Sequence, residues 1–291
     1  MIKKIYGLLI VTICLFIGKE AHAQKSLLWE IKHPTNGHKS YLFGTYHLVG
    51  SDYLLEHKRV EEAYLNANTV VVEMVMDSSK LMQFGMASMM QTPLKTLVDS
   101  AEYQLIKEKI EPIAGVSIDL LGNFKPVMLS VMYSVHLASE STPENEQYEG
   151  SPIDIYFAQN AKQRDKTVIG LEEMMEQAKM IYDADPVEKQ AENLVKLLSE
   201  DQEASDATDD LISAYANEDL GAMLALSDEW SEEFGDMTAL IDDRNKNWIP
   251  TLEPLLTKGN AFIAVGALHL PGENGLLSLL KKAGYKVSAV K

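Results

Sequence analysis

Tyr41-Leu42-Phe43-Gly44-Thr45-Tyr46-His47-Leu48-Val49-Gly50 and, far downstream, Phe262-Ile263-Ala264-Val265-Gly266-Ala267-Leu268-His269-Leu270-Pro271-Gly272 share one layout. Each is an apolar run ending in Gly-x-x-His-Leu-x-Gly. The first leads into a helical stretch at 52–67 and then Thr69-Val70-Val71-Val72-Glu73. The second leads into a helical stretch at 275–283 and then Lys286 to Val290. A lone Gly-x-x-His carries little information. Matched positions inside a matched strand, turn, helix, strand context carry much more. Alternating strands and helices mark an α/β chain. The runs at 69–73 and 261–267 are apolar on both faces, as in strands buried between helical layers. The expected fold is therefore α/β (α+β), a central mixed sheet from two pseudo-repeat halves with a long helical insertion between them at about 78–257.

Working outward, residues 28–33 and 40–46 read as strands around Pro34-Thr35-Asn36-Gly37, where Asn-Gly signals a hairpin. Leu81-Met82 through Met89-Met90 is Met-rich and reads first as a core helix. The sharper reading is an adaptable groove for an apolar ligand. Thr167 to Glu172 reads as another buried strand, 172–235 as acidic helix, and 237–257 as a helical region broken at Pro250. The acid runs at 200–210 lack the spaced Asp-x-Asp-x-Asp-Gly of a calcium loop.

The chemistry follows from where the motifs sit. In open α/β sheets, ligands bind beyond the carboxyl ends of the strands. Glycine there permits a tight backbone course, and the histidine projects from the rim. If the two units pack together, His47 and His269 converge. Glu73 ends one apolar strand and Glu172 another. A carboxylate after a buried run is costly unless paired, hydrated or bound to a cation. Glu172 has a plainer reading as a helix-start acid, since Glu173 and Glu176 follow. Two histidines with one or both glutamates, Glu73 foremost, form a ligand set for zinc, manganese, cobalt or iron. Such a divalent metal could acidify water and polarise a carbonyl. Without metal, a His–Glu pair could act as general base. Arg244, in Arg244-Asn245-x-x-Trp248, is a candidate to stabilise an oxyanion or bind a substrate carboxylate, or else a surface salt bridge. His33, His38, His57 and His136 lack matching context and read as surface or packing residues.

The ends and the charge bound the setting. Lys3 and Lys4, the apolar run Ile5–Ile17 and Ala21-His22-Ala23 make the three parts of a secretory signal peptide, residues 1–23. As a helix the run spans about 20 Å, short of a bilayer core of roughly 30 Å, so no stable membrane span is expected after cleavage. The mature domain is then a single unit, 24–291, exported to the periplasm or secreted. Cys14 is the only cysteine and leaves with the signal, which excludes disulfides, Cys-ligated metal and thiolate nucleophiles. The net charge of −17 argues against nucleic acid as a partner.

Leu28-Trp29-Glu30-Ile31, the two Gly-x-x-His motifs, Val70-Val71-Val72-Glu73, Gly170-Leu171-Glu172 and Arg244-Asn245-x-x-Trp248 together resemble the TraB/GumN family. The resemblance spans nearly all of the mature chain. That family is similar to the Tiki metalloproteases and, more remotely, to erythromycin esterase-like and ChaN-like haem-binding proteins. The Tiki resemblance implies a metal-dependent peptidase with metal on His47 and His269, Glu73 assisting and Arg244 supporting. The expected function is an exported metal-dependent, peptidase-like hydrolase acting on a peptide or small-molecule substrate. The alternatives are a non-catalytic haem or small-ligand binder, and a metal-free esterase-like hydrolase.

Overall fold

Gly37 adopts φ +73°, the left-handed turn conformation that glycine favours, and closes the hairpin of β1 (Leu28–Lys32) and β2 (Lys39–Thr45). The computed structural model describes residues 25–141, 148–234 and 240–290. The signal peptide expected over residues 1–23 lies outside the described residues. After β2 the chain crosses through α1 (Tyr53–Glu56) and α2 (Lys58–Asn66) to β3 (Thr69–Met74). The single helix expected over 52–67 is thus two. His57, at φ −99° and ψ 62°, leaves the helical region, and its ring stacks on Tyr53 at 3.6 Å.

The middle of the chain follows as α3 (Leu81–Ala87), α4 (Ser100–Ala114), α5 (Ile118–Leu121), α6 (Pro126–Ser141) and α7 (Ile153–Gln163). The chain returns to the sheet as β4 (Thr167–Glu172), then runs on as α8 (Met174–Tyr182), α9 (Val187–Ser199), α10 (Asp201–Ala216), α11 (Leu220–Phe234) and α12 (Asp242–Lys258). It closes with β5 (Ala261–Gly266), α13 (Leu276–Lys282) and β6 (Lys286–Ala289). Among the described residues no helix is long and apolar enough to cross a membrane.

The result is a mixed α/β fold on one six-stranded sheet, ordered β4-β3-β5-β2-β1-β6. β4, β3, β5 and β2 run parallel, while β1 is antiparallel to both β2 and β6. β5 stands between β2 and β3, so the segments that carry the two Gly-x-x-His motifs interleave in the sheet rather than form separate halves. Interleaving seats the two motifs on neighbouring strands, with Thr45 opposite Gly266. The main core packs both faces of the sheet, around Phe43, Tyr64, Phe157, Phe262 and Trp248. A second cluster, built on Ile106, Ile110, Ile118, Leu129 and Leu198, holds α4, α5, α6 and α9 together.

Three local expectations need correction. α3 buries none of its residues; Met82 and Met86 are 79% and 68% exposed, so the Met-rich stretch is not a core helix. α12 runs unbroken through Pro250 and Pro254. Both prolines lie on its exposed side, while Asn245, Trp248, Leu252 and Leu256 bury the opposite stripe and hold the helix to the sheet. β4 is only partly buried, because it is an edge strand with a partner on one side alone.

Candidate functional site

The carboxyl ends of four parallel strands meet along one edge, and each delivers a polar side chain. β2 ends at Thr45 and leads to His47. β5 ends at Gly266 and passes through a 3-10 turn, Ala267–His269. β3 carries Glu73, and β4 ends at Glu172, which stands opposite Met74. The motif glycines make this packing possible. A Cβ on Gly44 would lie 3.0 Å from Ala267 Cα, so the turn carrying His269 can rest on the end of β2. A Cβ on Gly266 would press on Glu73 Oε1 at 3.2 Å, from the strand whose backbone N–H donates to that same oxygen at 2.7 Å.

His269 is buried, and its tautomer follows from its partners. Asn245 Nδ2 donates to the His269 and Asn274 carbonyls at 3.2 and 3.0 Å, so Asn245 Oδ1 is the acceptor. His269 Nδ1–H therefore donates to it at 2.8 Å, and Nε2 keeps its lone pair. That lone pair accepts from Arg244 Nη1 at 3.2 Å, and Glu73 Oε1 lies 3.8 Å away. Burial, reinforced by the Arg244 charge, pushes the His269 pKa down to about 4 against the pull of Glu73. The ring is neutral at ordinary pH.

Arg244 is the hub, and it is no surface salt bridge. It donates to Glu172 through Nε at 2.7 Å and Nη2 at 2.9 Å, to Glu73 through Nη2 at 2.6 Å, and to Leu240 O and His269 through Nη1. All five of its N–H donors are thereby engaged. The expected role in binding an oxyanion or substrate carboxylate finds no free donor in this arrangement. The guanidinium also lies over the Trp248 ring at 4.9 Å, and Trp248 Nε1 donates to Glu172 Oε1 at 2.8 Å. Glu172 is consequently held by Arg244 and Trp248, away from the cleft that His47 lines. Burial raises the cost of ionising Glu73, but the charge that His269 carries when protonated, the Arg244 guanidinium and the Gly266 N–H outweigh it and hold its pKa below the usual carboxylate range.

His47 differs from its counterpart. Its side chain is 68% exposed, and Nδ1 donates to Asp154 Oδ2 at 3.0 Å. Asp154 sits in the first turn of α7. This bond to the carboxylate raises the His47 pKa, and the same pairing holds the Asp154 carboxyl low against its own burial. Sequence reading missed Asp154 and gave Asn245 no role. The first looks like any acid at a helix start. The second was legible as a polar residue in the buried stripe of α12.

His47, Asp154, Glu73 and Thr45 line one end of a cleft of about 240 Å³. Thr45 Oγ1 and Asp154 Oδ1 are buried there with no hydrogen-bond partner among the described residues. Buried polar atoms left so are costly, and a ligand or water in the cleft would satisfy them. His269 lies 3.8 Å from Glu73 Oε1 but is not part of the cleft lining. Among the described residues, no three His, Asp or Glu side chains are gathered as they stand to hold a metal ion.

The loop behind His269 is tightly wound. A Cβ on Gly275 would fall 1.8 Å from Pro271 O. Gly275→Ala should therefore cost about 2–3 kcal/mol in chemical denaturation, at the upper end of overpacking penalties. A change below 0.5 kcal/mol would mean that the loop can open without cost.

A search of curated proteins finds no match to this chain. A comparison with protein families matches residues 27–289, nearly the whole chain, and on that extent the chain belongs to the TraB/PrgY/gumN family.

Proposed function

We propose that this chain is an exported metal-dependent hydrolase, peptidase-like in its chemistry, working at the strand-end cleft. One observation carries the reading. Both motif histidines have Nδ1 engaged by a side-chain oxygen, His47 by Asp154 and His269 by Asn245, with Glu73 at the same edge. Metal-ligating histidines are commonly held in this way, so that Nε2 is presented to the ion. His47, His269 and Glu73 would be the donors, a chemically apt set for zinc, manganese, cobalt or iron. A cation there would have to replace Arg244 as the partner of His269 Nε2. When bound, it would supply Lewis acidity to a scissile carbonyl and lower the pKa of a water. The chain's own groups do the rest. Asp154 and Asn245 fix the imidazoles, Arg244 holds Glu172 by ion pairing and favours the ionised form of Glu73, and Gly266 N–H orients the Glu73 carboxylate.

The test is elemental mass spectrometry on the purified mature chain after reloading with each metal, beside His47→Ala and His269→Ala. Near-stoichiometric metal in wild type, lost in both variants, is expected. Trace metal in all three, with the fold intact by circular dichroism, would sink the metal reading.

A second reading is favoured by the cleft itself, which is lined by His47, Asp154 and Glu73 but not by His269. In it the His47–Asp154 pair acts as general base on water without metal, with Asp154 as orienter rather than the Glu first expected. Hydrolysis that survives chelation and is lost in His47→Ala but kept in His269→Ala would select it.

A further inference from the structure

α7 lays one stripe of side chains along the cleft. Asp154, Ile155, Ala158, Gln159 and Lys162 all line it, at the spacing of a single helix face. The stripe begins at the carboxylate that holds His47 and ends at a lysine. The lysine stands eight positions after the carboxylate, about 12 Å along the helix. Between them the cleft is mainly apolar, with Ile155 and Ala158 from the helix facing Val72, Val75 and Met76 from the end of β3 and beyond.

Lys162 also borders the adjoining polar depression, among Asp77, Lys80, Glu172 and Glu173. The other charges there are already engaged. Lys80 pairs with Glu173 at 2.9 Å, Glu172 is held by Arg244, and Asp77 accepts from the Ser79 backbone and hydroxyl at 2.9 and 2.7 Å. Lys162 has no ion-pair partner within 4.0 Å among the described residues, although Asp77 feels its charge. It is the cation left over where the apolar floor ends.

We propose that Lys162 anchors a terminal carboxylate, and that the substrate is an apolar chain whose anionic end lies about 12 Å from the bond presented to His47 and Glu73. For an extended peptide that distance is three to four residues at roughly 3.3 Å each. The assignment rests on the hydrolase reading only for the position of the reacting bond. The free C-terminus of a short apolar peptide and a medium-chain fatty acid share this chemistry.

Calorimetry on the mature chain separates the sources and keeps binding apart from turnover. The probes are a leucine–alanine tetrapeptide with a free C-terminal carboxylate, the same peptide as its amide, and decanoate. At low ionic strength the acid should bind wild type about fivefold more tightly than the amide, the upper range for an exposed ion pair. The preference should vanish in Lys162→Gln and at high salt, and reverse in Lys162→Glu. Lys162 is exposed and has no ion pair among the described residues to lose, so both variants should fold. Decanoate bound with the same dependence on Lys162 would extend the class to fatty acids. Decanoate left unbound would restrict it to peptides. Equal binding of acid and amide to wild type, a preference that persists in Lys162→Gln, or no binding of any probe overturns the proposal. A chain that binds the acid through Lys162 yet cleaves nothing would instead refute the hydrolase reading.

Discussion

Arg244→Met should lower the stability of the chain by about 3–5 kcal/mol at pH 7, the range for breaking a buried ion pair by removing one partner. The side chains of Arg244, Glu73 and Glu172 are 12%, 15% and 9% exposed, so solvent can do little to compensate the stranded carboxylates. For a chain of this size the melting temperature should fall by roughly 10 °C. The pH dependence follows from Glu73. Its folded pKa lies below the ordinary value, so its contribution is present above the unfolded pKa and is lost as pH falls through the folded one. In Arg244→Met burial acts on Glu73 without the guanidinium, and its folded pKa rises instead. The gap between wild type and variant is therefore widest at neutral pH and narrows as the medium falls through about pH 4, where unfolded carboxylates also take up protons. Urea denaturation at pH 7 and pH 4 checks this. A cost below 1 kcal/mol at pH 7, or an equal cost at both, would show that the network is open to water. Adding Glu73→Gln and Glu172→Gln to Arg244→Met should recover much of the loss, since no buried charge is then left unpaired.

The parts of this architecture that depend on local pattern were legible in the chain itself. Val70-Val71-Val72 and Phe262 to Val265 announced buried strands, Asn36-Gly37 announced the hairpin, and the repeated Gly-x-x-His placed both histidines at strand ends. What pattern could not show is how strands from different parts of the chain are ordered. β5 enters between β2 and β3, and that single choice puts His269 beside Glu73 and the first motif on the next strand. Nor could pattern show partners brought by helices far away in sequence. Asp154 reaches His47 from α7, and Asn245 reaches His269 from α12. Exposure was the least legible property. The methionines of α3 have core-like chemistry but face solvent, because α8 covers α3 on one side only and the sheet lies elsewhere.

Asp154→Asn should separate the two hydrolytic readings, because the residue acts on only one of the two histidines. His47 carries a pKa raised by its bond to the Asp154 carboxylate, whereas His269 titrates at about 4. In the metal-free chain, histidine ring protons followed by NMR should show His269 changing far below His47. Only His47 should move, downward, in Asp154→Asn. The reverse order would mean that the two imidazoles have been assigned the wrong environments. For activity, His47 must be neutral both to bind a cation and to accept a proton. The acid limb of the rate profile therefore belongs to His47, and it should shift to lower pH in the variant while His269 leaves it unaffected. The amide can also offer its nitrogen to His47 Nδ1 and favour the wrong tautomer, and the size of the resulting loss is the discriminating quantity. If His47 serves as a metal ligand, losing its orienting carboxylate should weaken metal binding about 10–100-fold, recoverable by raising the metal concentration. If His47 is itself the general base, the loss should appear in kcat, by about 10²–10⁴-fold, and no added metal should restore it.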